Sequence, residues 1–144
     1  MPVDDVLLQV HAAATAALAG LVWVVQLVVY PAFLVAGPTK AWPSYHRRHT
    51  TAMAVVVALP WAVQGLAVAA LLVRQPGPMV LLAAALAAVT VGVTVLVSVP
   101  LHTRPGAVYD ESAARRLIRT NWARTAAWTG GAVVAAVLAA RGAS

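Results

Sequence analysis

The sequence contains no cysteine among its 144 residues. Disulfide exchange, thiolate metal ligands and iron–sulfur clusters are therefore excluded, because each of them requires a cysteine sulfur. The absence also rules out a quinone-linked thiol oxidoreductase, which would otherwise be an obvious candidate for a small protein with several long apolar segments.

Acidic residues are almost as scarce. Charged residues of both signs make up only 10% of the chain, and the sequence has four acids, Asp4, Asp5, Asp110 and Glu111, none of them inside a long apolar stretch. A proton-coupled exporter of the small four-helix type needs a carboxylate within the membrane. The sequence therefore disfavours that class of transporter.

Hydrophobic residues are abundant, at 62% of the chain. A bilayer core of about 30 Å needs about 20 apolar residues per helical span, and four stretches, separated by breaks rich in proline, glycine and charge, meet that requirement. Short connections imply antiparallel neighbours. We therefore predict an all-α membrane protein, with four transmembrane helices in an up-down-up-down bundle that forms a single domain over residues 1–144. The predicted spans are residues 6–36, 42–73, 79–102 and 112–141.

The first apolar stretch is interpreted as a retained span rather than a cleaved signal peptide. It lacks a basic segment in front, opens with Asp4 and Asp5, and is longer than the apolar region of a signal peptide. We expect the mature chain to start at or near Met1.

The basic residues give a net charge of +6 and are distributed unevenly between the two membrane faces. Only Arg74 and Arg141 fall on the side of the second loop, so the positive-inside rule places the first and third loops in the cytoplasm and both termini outside. This distribution accounts for the charge without a nucleic-acid partner. The basic residues near the first and third loops are Lys40, Arg47, Arg48, Arg104, Arg115, Arg116, Arg119 and Arg124.

Each apolar stretch also carries polar residues at helical spacing. Polar side chains in lipid are costly unless they face the bundle interior. In an up-down-up-down bundle, the polar residues near the cytoplasmic ends of the four spans come to the same level. We therefore predict a shared polar chamber near the cytoplasmic face, formed by Tyr30, His46, His49, His102, Asn121 and Arg124.

The histidines of this set suggest a metal site. His46 and His49 are three residues apart and share a helix face, and His102 on another helix completes a three-histidine set suited to copper, iron or zinc. The alternative interpretation is that these are interfacial histidines that are solvated or hydrogen-bonded. His11 lies toward the opposite end of its helix and is expected to be a bonded interfacial side chain.

Most of the arginines are expected to anchor the helices to anionic lipid headgroups. Arg124 differs, because it lies inside the apolar stretch of the fourth span. It can snorkel to the interface or bind an anionic group of a substrate, such as an enolate or a phenolate.

Three segments carry a family resemblance: "VQLVVYPAF", "VPLHTRPG" and "RRLIRTNWARTAAWT". They resemble a group of small four-span bacterial membrane proteins, which are similar to the anthrone oxygenase-like family that oxidises polyketide anthrones to anthraquinones. The resemblance implies a bacterial inner membrane location and oxygenase chemistry without an obvious organic cofactor. It implicates Tyr30 with Pro31, Pro100 with His102, and Asn121 with Arg124. The sequence departs from the pattern at His102, where an asparagine is expected.

Three functions remain open at this stage. The first is an oxidase or oxygenase for a lipophilic aromatic or polyketide-like substrate, with His49 or His102 as base or metal ligand and Asn121 and Arg124 holding negative charge on an oxyanion. The second is a haem-binding electron-transfer protein with His49 and His102 as axial ligands. The third is a small-molecule-binding or accessory protein that forms a homo-oligomer through its Ala- and Gly-rich faces.

Overall fold

The computed structural model describes residues 3–103 and 108–142 of the chain. These residues form helices and short connections, with no strand in the described part, so the predicted all-α four-helix bundle is confirmed. All four helices are long and apolar enough to cross a membrane, as in a multi-pass membrane protein. They are α1 (Val3–Ala36), α2 (Trp42–Arg74), α3 (Pro78–His102) and α4 (Glu111–Gly142).

The four helices are not packed equally tightly. Extensive contacts join α1 to α2, α1 to α4, and α3 to α4. By contrast, α2 packs on α3 mainly along Pro78–Val93 and makes few contacts with Thr94–Ser98 or Val99–Thr103. The ring of helices is therefore closed at one end and parted between α2 and α3 at the other.

We name the parted end the basic end, because exposed basic side chains cluster where α1 finishes and α2 and α4 begin. Its core is the most aromatic of the three buried clusters and includes Tyr30, Phe33 and Trp42. The middle of the bundle is filled by Leu18 and its neighbours, and the opposite end by Leu8 and its neighbours. The basic side chains of the basic end are Lys40, Arg47, Arg48, Arg115, Arg116 and Arg119.

Two helices contain a π-helical turn just before a proline. In α1 the turn is Val25–Val29 and Pro31 follows; in α3 it is Thr94–Ser98 and Pro100 follows. Proline has no N–H to donate to the carbonyl four residues earlier, and its ring crowds that carbonyl. A π turn accommodates this local loss and re-aims the side chains beyond it, which is why such turns recur at functional sites.

Candidate functional site

Two histidines and a tyrosine form a line of hydrogen bonds at the basic end. Nε2 of His46 lies 3.0 Å from Nδ1 of His102, and Nε2 of His102 lies 3.4 Å from the hydroxyl of Tyr30. The indole of Trp42 stacks on the His46 ring, with centroids 4.8 Å apart. Both nitrogens of His102 are therefore engaged, and its ring is fixed between α1 and α2.

His49 approaches the same group from α2. Its ring centroid is 5.9 Å from that of His102 and 6.5 Å from that of Tyr30. Within residues 3–103 and 108–142, neither ring nitrogen of His49 has a hydrogen-bond partner. Of the three imidazoles, His49 is the one with neither ring nitrogen engaged by another side chain of the described residues.

Phe33, the only phenylalanine in the sequence, holds this arrangement together. It is 1% exposed, and its ring contacts all three imidazoles edge-on, with centroids 5.9, 5.0 and 6.2 Å from His46, His49 and His102. The sequence analysis did not select it. Its position three residues after Tyr30, and therefore on the same helix face, was the available signal.

Beside these rings lies a cavity of about 390 Å³. Its walls are mostly apolar, and four of the six residues predicted for the polar chamber contribute to them: Tyr30, His49, His102 and Arg124. Such a volume lies within the range of small-molecule sites. The remaining lining residues are Val25, Thr50, Met53, Ala54, Val57, Trp61, Thr94, Ser98 and Val99.

The cavity is open to the side of the bundle. Its α2 wall includes Ala54 and its α3 wall includes Val99, and both of these side chains are exposed. This opening coincides with the stretch where α2 and α3 make few contacts. In a membrane, an apolar molecule dissolved among the lipid tails could reach the cavity through this gap without crossing water.

Arg124 supplies the only positive charge on the cavity wall among the described residues. Its guanidinium lies 5.2 Å from the centroid of the Trp128 ring, and Nη1 is 3.5 Å from the hydroxyl of Ser98. The two ion pairs in the described part of the chain, Arg74–Asp4 and Arg115–Glu111, leave Arg124 without a carboxylate.

Asn121 and His46 do not line the cavity. Asn121 is 1% exposed and donates from Nδ2 to Oε1 of Gln26 at 2.9 Å, while Gln26 donates to the Ile118 carbonyl at 3.2 Å. Asn121 therefore joins α1 to α4. The sequence analysis had predicted that it faces the polar chamber, and this prediction is wrong. His46 does not line the cavity and contacts His102, which does.

The predicted metal site requires three ligands that converge on one point. In the part of the chain that the structure describes, no group of three His, Asp or Glu residues is arranged to hold a metal ion. His46 and His102 instead face each other at hydrogen-bonding distance. The three imidazoles as placed do not fit a metal ion that needs all three as ligands. A copper, iron or zinc site therefore stays a prediction from the sequence.

A second polar cluster lies deeper in the bundle, toward the opposite end. Trp128 donates from Nε1 to Gln64 at 3.4 Å, and Gln64 donates to the Thr15 hydroxyl at 3.3 Å. Thr15 Oγ1 lies 3.5 Å from Nδ1 of His11. His11 is therefore a hydrogen-bonded side chain, as predicted, and at 1% exposure it lies inside the bundle.

The fold and the cavity together define the class of protein: a four-helix bundle of the multi-pass membrane type, with a mostly apolar cavity at one end. Comparison of the chain with protein families, with curated proteins and with solved structures found no match. The function is therefore inferred from the geometry of the cavity, together with the reaction and substrate class that the family resemblance implies.

Proposed function

We propose that this protein is a membrane-embedded oxidase or oxygenase for a lipophilic aromatic or polyketide-like substrate. The observation that carries the proposal is the composition of the cavity: apolar walls, a sideways opening, and one cluster containing Tyr30, His49, His102 and Arg124. The walls suit an apolar ring system, and the polar cluster suits a proton transfer that creates negative charge on oxygen.

His49 is proposed as the general base. Its ring nitrogens are without a partner in the described residues, and an imidazole accepts protons near physiological pH. Arg124 would hold the enolate or phenolate oxygen that forms when the substrate loses its proton, since its charge faces the cavity without a competing carboxylate. Tyr30, held against His102, would orient the substrate by its hydroxyl.

The proposed reaction converts an activated methylene into a carbonyl, with dioxygen as the oxidant. His49 takes one proton from the methylene, and the resulting carbanion forms a bond to dioxygen. Breaking of the O–O bond leaves one oxygen atom as the carbonyl. The other oxygen leaves as water with the two methylene hydrogens, so the reaction needs no further reductant.

The proposal is tested by oxygen uptake of the purified protein in lipid nanodiscs with an anthrone as substrate. We expect uptake matched by formation of the quinone, reduced by about 100-fold or more in the His49→Gln variant, since a general base contributes roughly 10²–10⁴-fold. His11→Gln is the matched control, because His11 is the one of the four histidines that takes no part in the group of rings beside the cavity. Equal rates for wild type and His49→Gln would refute the assignment.

The same preparations distinguish the alternatives. One copper, iron or zinc atom per chain, lost together with activity in His46→Gln, would support the metal prediction. An absorbance spectrum with a Soret band would support haem, although His102 has both nitrogens occupied by His46 and Tyr30. Binding of the anthrone without oxygen uptake would indicate a binding or accessory protein.

The basic end is proposed to face the cytoplasm of a bacterial inner membrane. The support is the charge distribution: the exposed basic residues of that end outnumber Arg74 and Arg141 at the other. The cavity would then open in the inner leaflet. A homo-oligomer through the small-residue faces is compatible with this arrangement, since the cavity is formed within one chain.

A further inference from the structure

A second concave site lies on the outside of the basic end, away from the cavity. It is a groove of about 600 Å³ between the end of α1 and the start of α4. Pro31, Leu34 and Ile118 are half-buried and form its apolar floor, and the side chains at its rim are polar and exposed. The rim residues are Ser112, Arg115 and Arg119.

Regular spacing on both helices builds this groove. On α4, Ser112, Arg115, Arg119 and Trp122 follow one another at steps of three, four and three residues, which places them on one helix face. On α1, Trp23 stands eight residues before Pro31, or about two turns. The Trp23 and Trp122 rings meet edge-on with centroids 5.7 Å apart, on the side of the groove that faces the middle of the bundle.

The tryptophans also indicate where the groove lies in the membrane. Trp122 is 48% exposed, and exposed tryptophans concentrate at the headgroup level of a bilayer. Arg119 is one turn farther toward the basic end, so its guanidinium is placed at the level of lipid phosphates.

The charge at the rim is positive and incompletely compensated. Nη2 of Arg115 forms an ion pair with Oε1 of Glu111 at 2.7 Å, and both side chains are exposed. Asp110 caps the start of α4 by accepting from the backbone and hydroxyl of Ser112. Arg119 takes part in neither of the two ion pairs in the described residues, and is therefore free to bind an anion.

We infer that this groove binds one anionic phospholipid. The phosphate would lie between Arg115 and Arg119, and an acyl chain would run over Ile118, Leu34 and Pro31 toward the tryptophan pair. Basic pockets between transmembrane helices at this level suit an acidic headgroup. The site is separate from the cavity, so it does not depend on the proposed reaction.

The test is lipid retention by the full chain, measured by native mass spectrometry after purification and addition of phosphatidylglycerol or phosphatidylcholine. We expect one phosphatidylglycerol per chain, bound about tenfold more weakly by the double variant Arg115→Gln/Arg119→Gln. The control, Arg47→Gln/Arg48→Gln, removes the same charge from exposed positions at the same end that line neither site, and should bind as wild type does.

Three results would overturn the inference: equal retention of both lipids, equal loss in the two double variants, or full displacement by millimolar inorganic phosphate. The second would indicate general attraction between a basic surface and acidic lipid. Leu34→Trp, which fills the floor and keeps both arginines, provides a variant that does not alter charge. It should also lose the lipid while its helical circular dichroism is unchanged.

Discussion

Arg124, more than any other residue of the cavity wall, limits what the cavity can bind, because its side chain is charged. An arginine stays protonated at all relevant pH values, and a charge inside a bundle is costly unless other groups compensate it. Here the Trp128 ring and the Ser98 hydroxyl give partial compensation, and Nε is buried without a partner in the described structure. A residue kept at this cost is expected to act on something that enters the cavity.

Gly37, at the edge of the site, is a position where the packing leaves no room for a larger residue. Its backbone is helical, yet a Cβ at this position would overlap the ring of Tyr109, which packs on Trp42 with centroids 5.2 Å apart. Gly37→Ala should therefore destabilise the protein by about 1–3 kcal/mol, the usual cost of overpacking. The measurement is thermal unfolding in detergent.

Gly65→Ala is the matched control for Gly37→Ala. Nothing lies within 4 Å of a Cβ at Gly65, which sits in the interior of α2. Alanine is favoured over glycine in a helix by about 0.5–1 kcal/mol, so the melting temperature should stay the same or rise. Equal destabilisation by the two substitutions would contradict the steric explanation.

Among the site residues, the sequence could predict those with chemical groups and not those that position them. Tyr30, His49, His102 and Arg124 were selected because polar groups in apolar helices must face inward. Asn121 satisfies the same rule by bonding Gln26, and no periodicity distinguishes a residue that faces a partner helix from one that faces a cavity. Phe33 carries no polar signal, although it touches all three imidazoles.

At the scale of the helices, the two π turns explain why separate segments converge on one cavity. Tyr30 directly follows the turn in α1, and Ser98 and His102 lie at and after the turn in α3. The sequence contains the cause, since Pro31 and Pro100 each remove a backbone donor. The sequence does not show whether the helix forms a kink or a π turn at the proline, because the outcome depends on the packing of neighbouring helices.

Replacing Pro31 by alanine tests this role. The new N–H could donate to the Leu27 carbonyl and restore a regular helix, which would rotate Tyr30 by up to about 100°, the angle of one residue in an α-helix. We expect the melting temperature of Pro31→Ala to be equal or higher and its anthrone oxidation to fall severalfold. Both are measured on the same nanodisc preparation.

Pro76→Ala is the control for this experiment, because Pro76 is exposed in the connection between α2 and α3. It should change neither quantity. If Pro31→Ala retained full activity, the π turn of α1 would not be needed to place Tyr30.

For the whole molecule, the central feature is the unequal packing of the ring of helices. The polar cluster of Gln64, Thr15 and Trp128 ties α1, α2 and α4 together in the bundle interior, while α2 and α3 part toward the basic end. Sequence patterns predicted the number and order of the helices, because apolar length and breaks determine both. They did not predict the gap, because it depends on which pairs of helices touch.

The central claim is that this gap leads to a cavity that binds a lipophilic substrate, and ligand binding tests it most directly. A hydroxyanthraquinone would be titrated against wild type, Val57→Phe and Val55→Phe. Val57 lines the cavity, whereas Val55, on the same helix, is 72% exposed and does not line it. We predict one ligand per chain in wild type and Val55→Phe, and affinity at least about tenfold lower in Val57→Phe, a loss of roughly 1.4 kcal/mol. Equal affinity in all three proteins, or an equal loss in the two variants, would contradict the account.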